Sequence, residues 1–173
     1  MSATPVDSFV STCEANDVPC THATPEEFGE VLAPMLDQPA VGVALRDPDA
    51  SLADTDVSVD PTPAALKRAR TGVTPAAFAV ADYGSVVLPS APSGAELVSL
   101  FVDRHIVVVD AEQVVPGMEA AFDRFGEFVR DEGEPDSGIV ATGASATADM
   151  GALVRGAHGP SDVRVVVLEG SDE

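Results

Sequence analysis

Apolar positions follow two periods along this chain. Short runs of Val, Ile, Leu and Ala at 40–45, 105–109, 138–142 and 163–168 are bounded by turn residues. Such runs predict strands covered on both faces, as in a parallel α/β sheet. Between them the period changes to that of a helix. Residues 5–16 predict a first helix, opened by Asp7 or Ser8 and closed by Asn16-Asp17. Thr24-Pro25-Glu26-Glu27 carries an N-cap, a Pro at the first helical position and a capping box, and Phe28, Val31, Leu32, Met35 and Leu36 follow at helical spacing. Pro34 removes an interior hydrogen bond and predicts a bent last turn. Met118, Phe122, Phe125 and Val129 predict one apolar face of a long helix over 116–130.

Shorter elements fill the gaps. Strands are expected at 18–22 and 85–88, short helices at 62–69, 76–81 and 94–100, and a turn at Tyr83-Gly84. Residues 46–63, rich in Asp and Pro, form the longest irregular stretch, with a short strand around 57–59. Repeated β–α alternation predicts an α/β fold: a mostly parallel sheet with helices on both faces. Length fits one domain over 1–173, with a helical N-terminal part (1–36) and an α/β core (37–170).

The most informative stretch is 138–168, where two strands enclose a loop and a short helix built from Gly, Ser, Thr and Asp. Ligands of open α/β sheets bind outside the carboxyl ends of strands, so 143–158 is the first place to seek a site. Gly143 permits close backbone approach, and the hydroxyls of Thr142, Ser145 and Thr147 add donors. A helix starting at Thr147 or Ala148 would aim its N-terminus at a phosphate or carboxylate, with Asp149 in its first turn. The same residues serve equally well as a plain helix cap. Asp82 could face the same pocket or cap the turn at Gly84. His158, before Gly159-Pro160, is expected to fix its loop through a ring hydrogen bond.

Other chemistries find less support. Ser145, Asp149 and His158 stand in hydrolase-triad order, but a nucleophile elbow needs Gly at position 147. His22, His105 and His158 are scattered without metal-ligand spacing. Dinucleotide, P-loop and zinc-protease motifs are absent from the sequence. Cys13 and Cys20 are the only thiols, too few for an iron–sulfur cluster, and read as small core residues.

Charge changes the picture once more. The chain holds 29 acidic and 9 basic residues, a formal charge of -20, and Lys67 is its only lysine. Nucleic acid and anionic membranes are poor partners for such a surface. With 45% apolar residues the chain is not expected to be disordered, and the charge reads as adaptation to a cytoplasm of molar salt. The basic cluster Lys67, Arg68 and Arg70 reads as the last turn of a helix. Neither a signal peptide nor a membrane span is recognisable, which predicts a soluble cytoplasmic protein.

Three blocks carry a family resemblance. TGASATADMGALVRGAHGP at 142–160, before its final strand, resembles the C-terminal signature of the LUD-domain family, in particular its lactate-utilisation protein C branch. Thr142, Gly143, Ser145, Thr147, Ala148, Asp149, His158, Gly159 and Pro160 fall on the pattern. GVTPAAFAVADYGSVVLPS at 72–90 and RHIVVVDAEQVVP at 104–116 are similar to two further family blocks, in the same order. Ala144, Ala146, Gly151 and Tyr83 depart from the residues common there, so ligand contacts of those side chains do not carry over.

The resemblance implies a fold like that of NagB, RpiA and CoA transferases. It also implies a role beside two iron–sulfur proteins (LutA- and LutB-like) that oxidise L-lactate to pyruvate. This chain would then be the cluster-free subunit or accessory protein, binding no cofactor itself, with the iron–sulfur clusters in its partners. The alternative is a stand-alone isomerase- or transferase-like protein for a small phosphorylated or carboxylate ligand, and a third option is a structural partner without ligand.

Overall fold

The computed structural model describes residues 3–130, 137–149 and 152–170. In chain order the elements are α1 (Pro5–Ala15), β1 (Cys20–Ala23), α2 (Phe28–Leu32), β2 (Ala40–Gly42), β3 (Val57–Val59), α3 (Pro63–Leu66), β4 (Thr71–Pro75), β5 (Phe78–Val80) and β6 (Ser85–Pro89). There follow α4 (Ala95–Phe101), β7 (Arg104–Asp110), β8 (Val114–Val115), α5 (Met118–Arg130), β9 (Gly138–Ala141), β10 (Ala146–Asp149), β11 (Ala152–Arg155) and β12 (Asp162–Leu168).

Six strands form a parallel sheet in the order β1-β12-β7-β4-β2-β3. The valine runs β12 and β7 are adjacent interior strands, and alternation along them sorts the core. Val107, Val109, Val163, Val165 and Val167 face α1 and a second sheet, whereas Ile106, Val108, Val166 and Leu168 face Phe28 and Leu32 of α2. The second sheet, β8-β5-β6-β9, packs its own far side on α5 through Phe78, Val80, Val87 and Ala121. Helices thus flank the parallel sheet, with four further strands interposed on one side. The first 36 residues supply β1 to the main sheet as well as α1 and α2.

Local chemistry sets where the helices begin and end. Thr4, not Asp7 or Ser8, caps α1: its hydroxyl accepts the Asp7 N–H (3.1 Å) while the Asp7 carboxylate accepts the Thr4 N–H (3.0 Å). Pro34 ends α2 in a short 3-10 turn, Ala33–Met35. Thr62 caps α3, and 57–59 is the edge strand expected inside the acidic loop.

Four expectations are corrected. Residues 76–81 do not form a helix: β5 alternates Phe78 and Val80 towards α5 with Ala79 towards the core, and Phe78 meets Phe125 edge-on at 5.3 Å. Tertiary burial on two faces overrides the helix preference of alanine. Residues 71–75, to which the pattern assigned no element, form the central strand β4. Its polar side chains are satisfied internally, Thr71 by the backbone of Asp37 (2.9 Å) and Thr74 by His105 (2.8 Å). On α5 the buried face runs through Met118, Ala121 and Phe125, while Phe122 points to solvent at 68% exposure. The Val129 side chain lies outside the described residues.

The fourth correction concerns 138–168. Only its second strand, β12, is buried in the parallel sheet; β9 is an antiparallel edge strand of the second sheet and is half-exposed. The expected loop and helix are a β-hairpin, β10–β11, pairing Ala146 with Arg155 and Thr147 with Val154. A segment this short does not sustain a helix by propensity alone.

Candidate functional site

Two sheets that diverge leave a space between them. At the amino ends of β7 and β12, where His105, Val107, Val163 and Val165 face the second sheet, a cavity of ≈ 180 Å³ opens. Val86 and Leu88 of β6 and Ile139 and Ala141 of β9 form its opposite wall. Ser99 and Leu100 of α4 close one side, and the loops 142–145 and 158–160 form the lip. A neighbouring hollow of ≈ 320 Å³ shares Thr142, Gly143, Ala144 and Val163 and adds Asn16, Asp17, Arg155 and Asp162.

This location departs from the carboxyl-end expectation. Thr142 does follow the carboxyl end of a strand, but that strand is β9 of the second sheet. Relative to the parallel sheet the cavity lies at the amino edge. The carboxyl edge carries a different, open cleft of ≈ 580 Å³. There His22 Nδ1 meets Glu169 Oε1 at 2.7 Å beside Asp7 and Glu26, an acidic setting that offers an anion little.

Of the eight residues singled out from sequence, five converge on the cavity: Gly84, Thr142, Gly143, Ser145 and His158. Gly84 (φ +59) turns into β6 directly against α1, where a Cβ would stand 3.2 Å from the Cys13 nitrogen. Gly143 also takes a left-handed conformation, φ +66, beside Val18. The Thr142 hydroxyl bonds the buried Ser85 hydroxyl at 2.5 Å. Ser145 ties the lip together: its N–H donates to Pro160 O (2.9 Å), its carbonyl accepts from Gly156 N–H (2.8 Å), and its hydroxyl accepts from His158 N–H (3.3 Å). Among the described residues, the hydrogen bond that holds the loop at His158 comes from that residue's backbone, not its ring.

The other three lie elsewhere. Thr147 and Asp149 are carried off on β10, whose exposed Thr147 pairs with Val154; the Asp149 side chain lies outside the described residues. With a strand over 146–149, the described residues form no helix N-terminus there to face 142–145. Asp82 sits exposed in a 3-10 turn, Ala81–Tyr83, with its carboxylate against Gly117 and its N–H on Pro116 O (3.2 Å).

Sequence reasoning passed over His105. It is 2% exposed, and its Nε2 lies 2.8 Å from the Thr74 hydroxyl. Burial holds its pKa down to about 4, so the ring is neutral at physiological pH. The signal was legible: a single imidazole opening a run of aliphatic residues, two positions from Val107 and hence on the same face. Ser99, whose hydroxyl donates to Glu96 O at 2.6 Å, carried no comparable signal. Nearby, Arg104 ties the amino ends of β7 and β12, meeting Asp162 at 2.6 Å, Asp37 at 3.0 Å and Met35 O at 2.9 Å. Partial burial opposes ionisation of Asp162, but Arg104 and Arg164 outweigh it and hold that carboxyl below its usual range.

The fold as a whole is similar to that of a solved structure. That structure is the crystal structure of a DUF162 family protein from Deinococcus radiodurans, similar with a TM-score of 0.69 over 96% of this chain and 99% of that one. At 22% identity the likeness concerns the fold. The LUD domain matches residues 14–168, and the chain belongs to the LUD domain family. Lactate utilization protein C of Deinococcus radiodurans is 35% identical over 107 residues, 61% of this chain and 49% of that protein. The chain thus spans about half the length of the curated relative it matches.

Proposed function

We propose that this chain is the cluster-free subunit or accessory protein of an L-lactate utilisation system. Iron–sulfur partner proteins would carry electrons away as lactate is oxidised to pyruvate. The carrying observation is the likeness to lactate utilization protein C within a chain of the LUD domain family. The donor set supports the division of labour. A cluster takes four protein ligands, commonly thiolates, and the sequence holds only Cys13 and Cys20. Cys13 is buried in the core with its thiol 3.9 Å from Gly84 O, and hydrogen bonding to Cys20 together with burial pushes its pKa up, away from the thiolate a metal needs. Among the described residues no helix is long and apolar enough to cross a membrane, consistent with partners met away from the bilayer core.

Affinity capture of the full chain from lactate-grown cells tests the reading. Cys-rich iron–sulfur proteins are expected to co-purify with it; a homo-oligomer free of them overturns the assignment. The charge of -20 belongs to the same proposal, as adaptation to a salt-rich cytoplasm. Its expected signature is a urea midpoint that rises steeply from low to molar KCl as self-repulsion is screened. A flat or falling midpoint contradicts it.

A further inference from the structure

The cavity between the sheets has a composition that defines a ligand. Its described lining contains no Lys, Arg, Asp or Glu. Aliphatic side chains from both sheets make most of the wall, and the polar groups are hydroxyls, imidazoles and loop backbone. The space of ≈ 180 Å³ opens to solvent at its lip. A cavity of about 150 Å³ lined by aliphatic groups is enough to hold one benzene-sized molecule.

His105 sets the polar end. Its Nε2 is engaged by Thr74, and no other hydrogen bond to its ring is found among the described residues, which leaves Nδ1 for a ligand in the cavity it lines. A ligand group that hydrogen-bonds the ring there adds a favourable contact to the apolar burial. An anion entering the same space would lose its water with no fixed countercharge to replace it. Asp17, Asp162 and Arg155 line the neighbouring hollow instead and face solvent to differing degrees.

We propose that this cavity binds a small uncharged molecule, with an apolar body of single-ring size and one or two hydrogen-bonding groups. It does not hold lactate, pyruvate or phosphate. The inference stands apart from the lactate reading: a chain that recruits iron–sulfur partners can bear a second, neutral ligand, and loss of either leaves the other in place.

Phenol is a suitable probe, because it joins one ring to one hydroxyl. Titrated into the full isotope-labelled chain, it is expected to give saturable shifts clustered on the methyl groups of Leu88, Val107, Ile139 and Val165. Benzene should bind the same residues about fivefold more weakly, the loss of one hydrogen bond. Ala141→Phe, on the half-exposed edge strand, fills the cavity and should abolish saturable binding while spectral dispersion is retained. Ala144→Leu on the lip serves if that variant does not fold. L-lactate, pyruvate and inorganic phosphate should leave these methyls unmoved. The proposal is overturned if phenol gives no saturable shift, if benzene binds equally well, if filling the cavity leaves binding intact, or if an anion moves the same methyls at lower concentration.

Discussion

β12 and the β10–β11 hairpin lie side by side in sequence and at opposite ends of the fold's stability range. In β12, Val165 to Leu168 are no more than 2% exposed and pair on both sides with parallel neighbours. In the hairpin, Leu153 is 66% exposed and Val154 41%, and its two strands pair only with each other. A two-stranded ribbon is marginal alone, so this one depends on the anchors at its base: the Ser145 bonds to 156–160 and the Arg155–Asp17 pair at 3.8 Å. The difference teaches where rigidity resides. The parallel sheet fixes the cavity floor, and the cavity lip is fixed by a few hydrogen bonds.

The sharpest break of that comparison is by truncation. Ile106→Ala empties a fully buried position of β7 and should cost about 2–5 kcal/mol. Leu153→Ala on the hairpin should stay within about 0.5 kcal/mol. Urea midpoints of the two variants check the contrast, and comparable losses would place the hairpin in the core.

A pH series sharpens it at the cavity floor. The folded pKa of His105 lies near 4, below the usual imidazole value, so the unfolded chain binds the extra proton between them. This contribution to stability is complete above about pH 6.5, falls as pH drops towards 4, and amounts to something on the order of 3 kcal/mol. His105→Gln should flatten the urea midpoint over that window relative to the native chain. An unchanged slope would show that the ring titrates normally.

The lip gives the smallest effect. Ser145→Ala removes the acceptor for the His158 N–H and should cost about 1 kcal/mol. Faster amide exchange at residues 156–158, with β7 and β12 unaffected, is the expected local signature. Uniform acceleration would mean that lip and sheet open together.

The same contrast governs what could be read in advance. Valine runs at 105–109 and 163–168 have one favourable solution, burial on two faces, and became β7 and β12. The GASATAD segment has several, because small residues suit a cap, a loop or a strand about equally, and cross-strand partners on 152–155 decided for the hairpin. β4 escaped notice because Thr71 and Thr74 look solvent-facing until Asp37 and His105 are seen to satisfy them. At the site, the glycines and the loop-fixing place of His158 were legible as loop chemistry, but its partner Ser145 and the use of its backbone were not. The convergence of Ser99 and His105 was not, since it depends on how α4 and the second sheet close over the amino edge of the first.

The central claim, a cluster-free role in lactate oxidation, is tested most directly by reconstitution. Lactate-dependent reduction of an artificial dye is measured with the iron–sulfur partner proteins alone and again with this chain added. The chain is expected to show no dye reduction by itself, and the partners to reach full rate only in its presence. Full rate from the partners without it, or lactate oxidation by the isolated chain, would contradict the account.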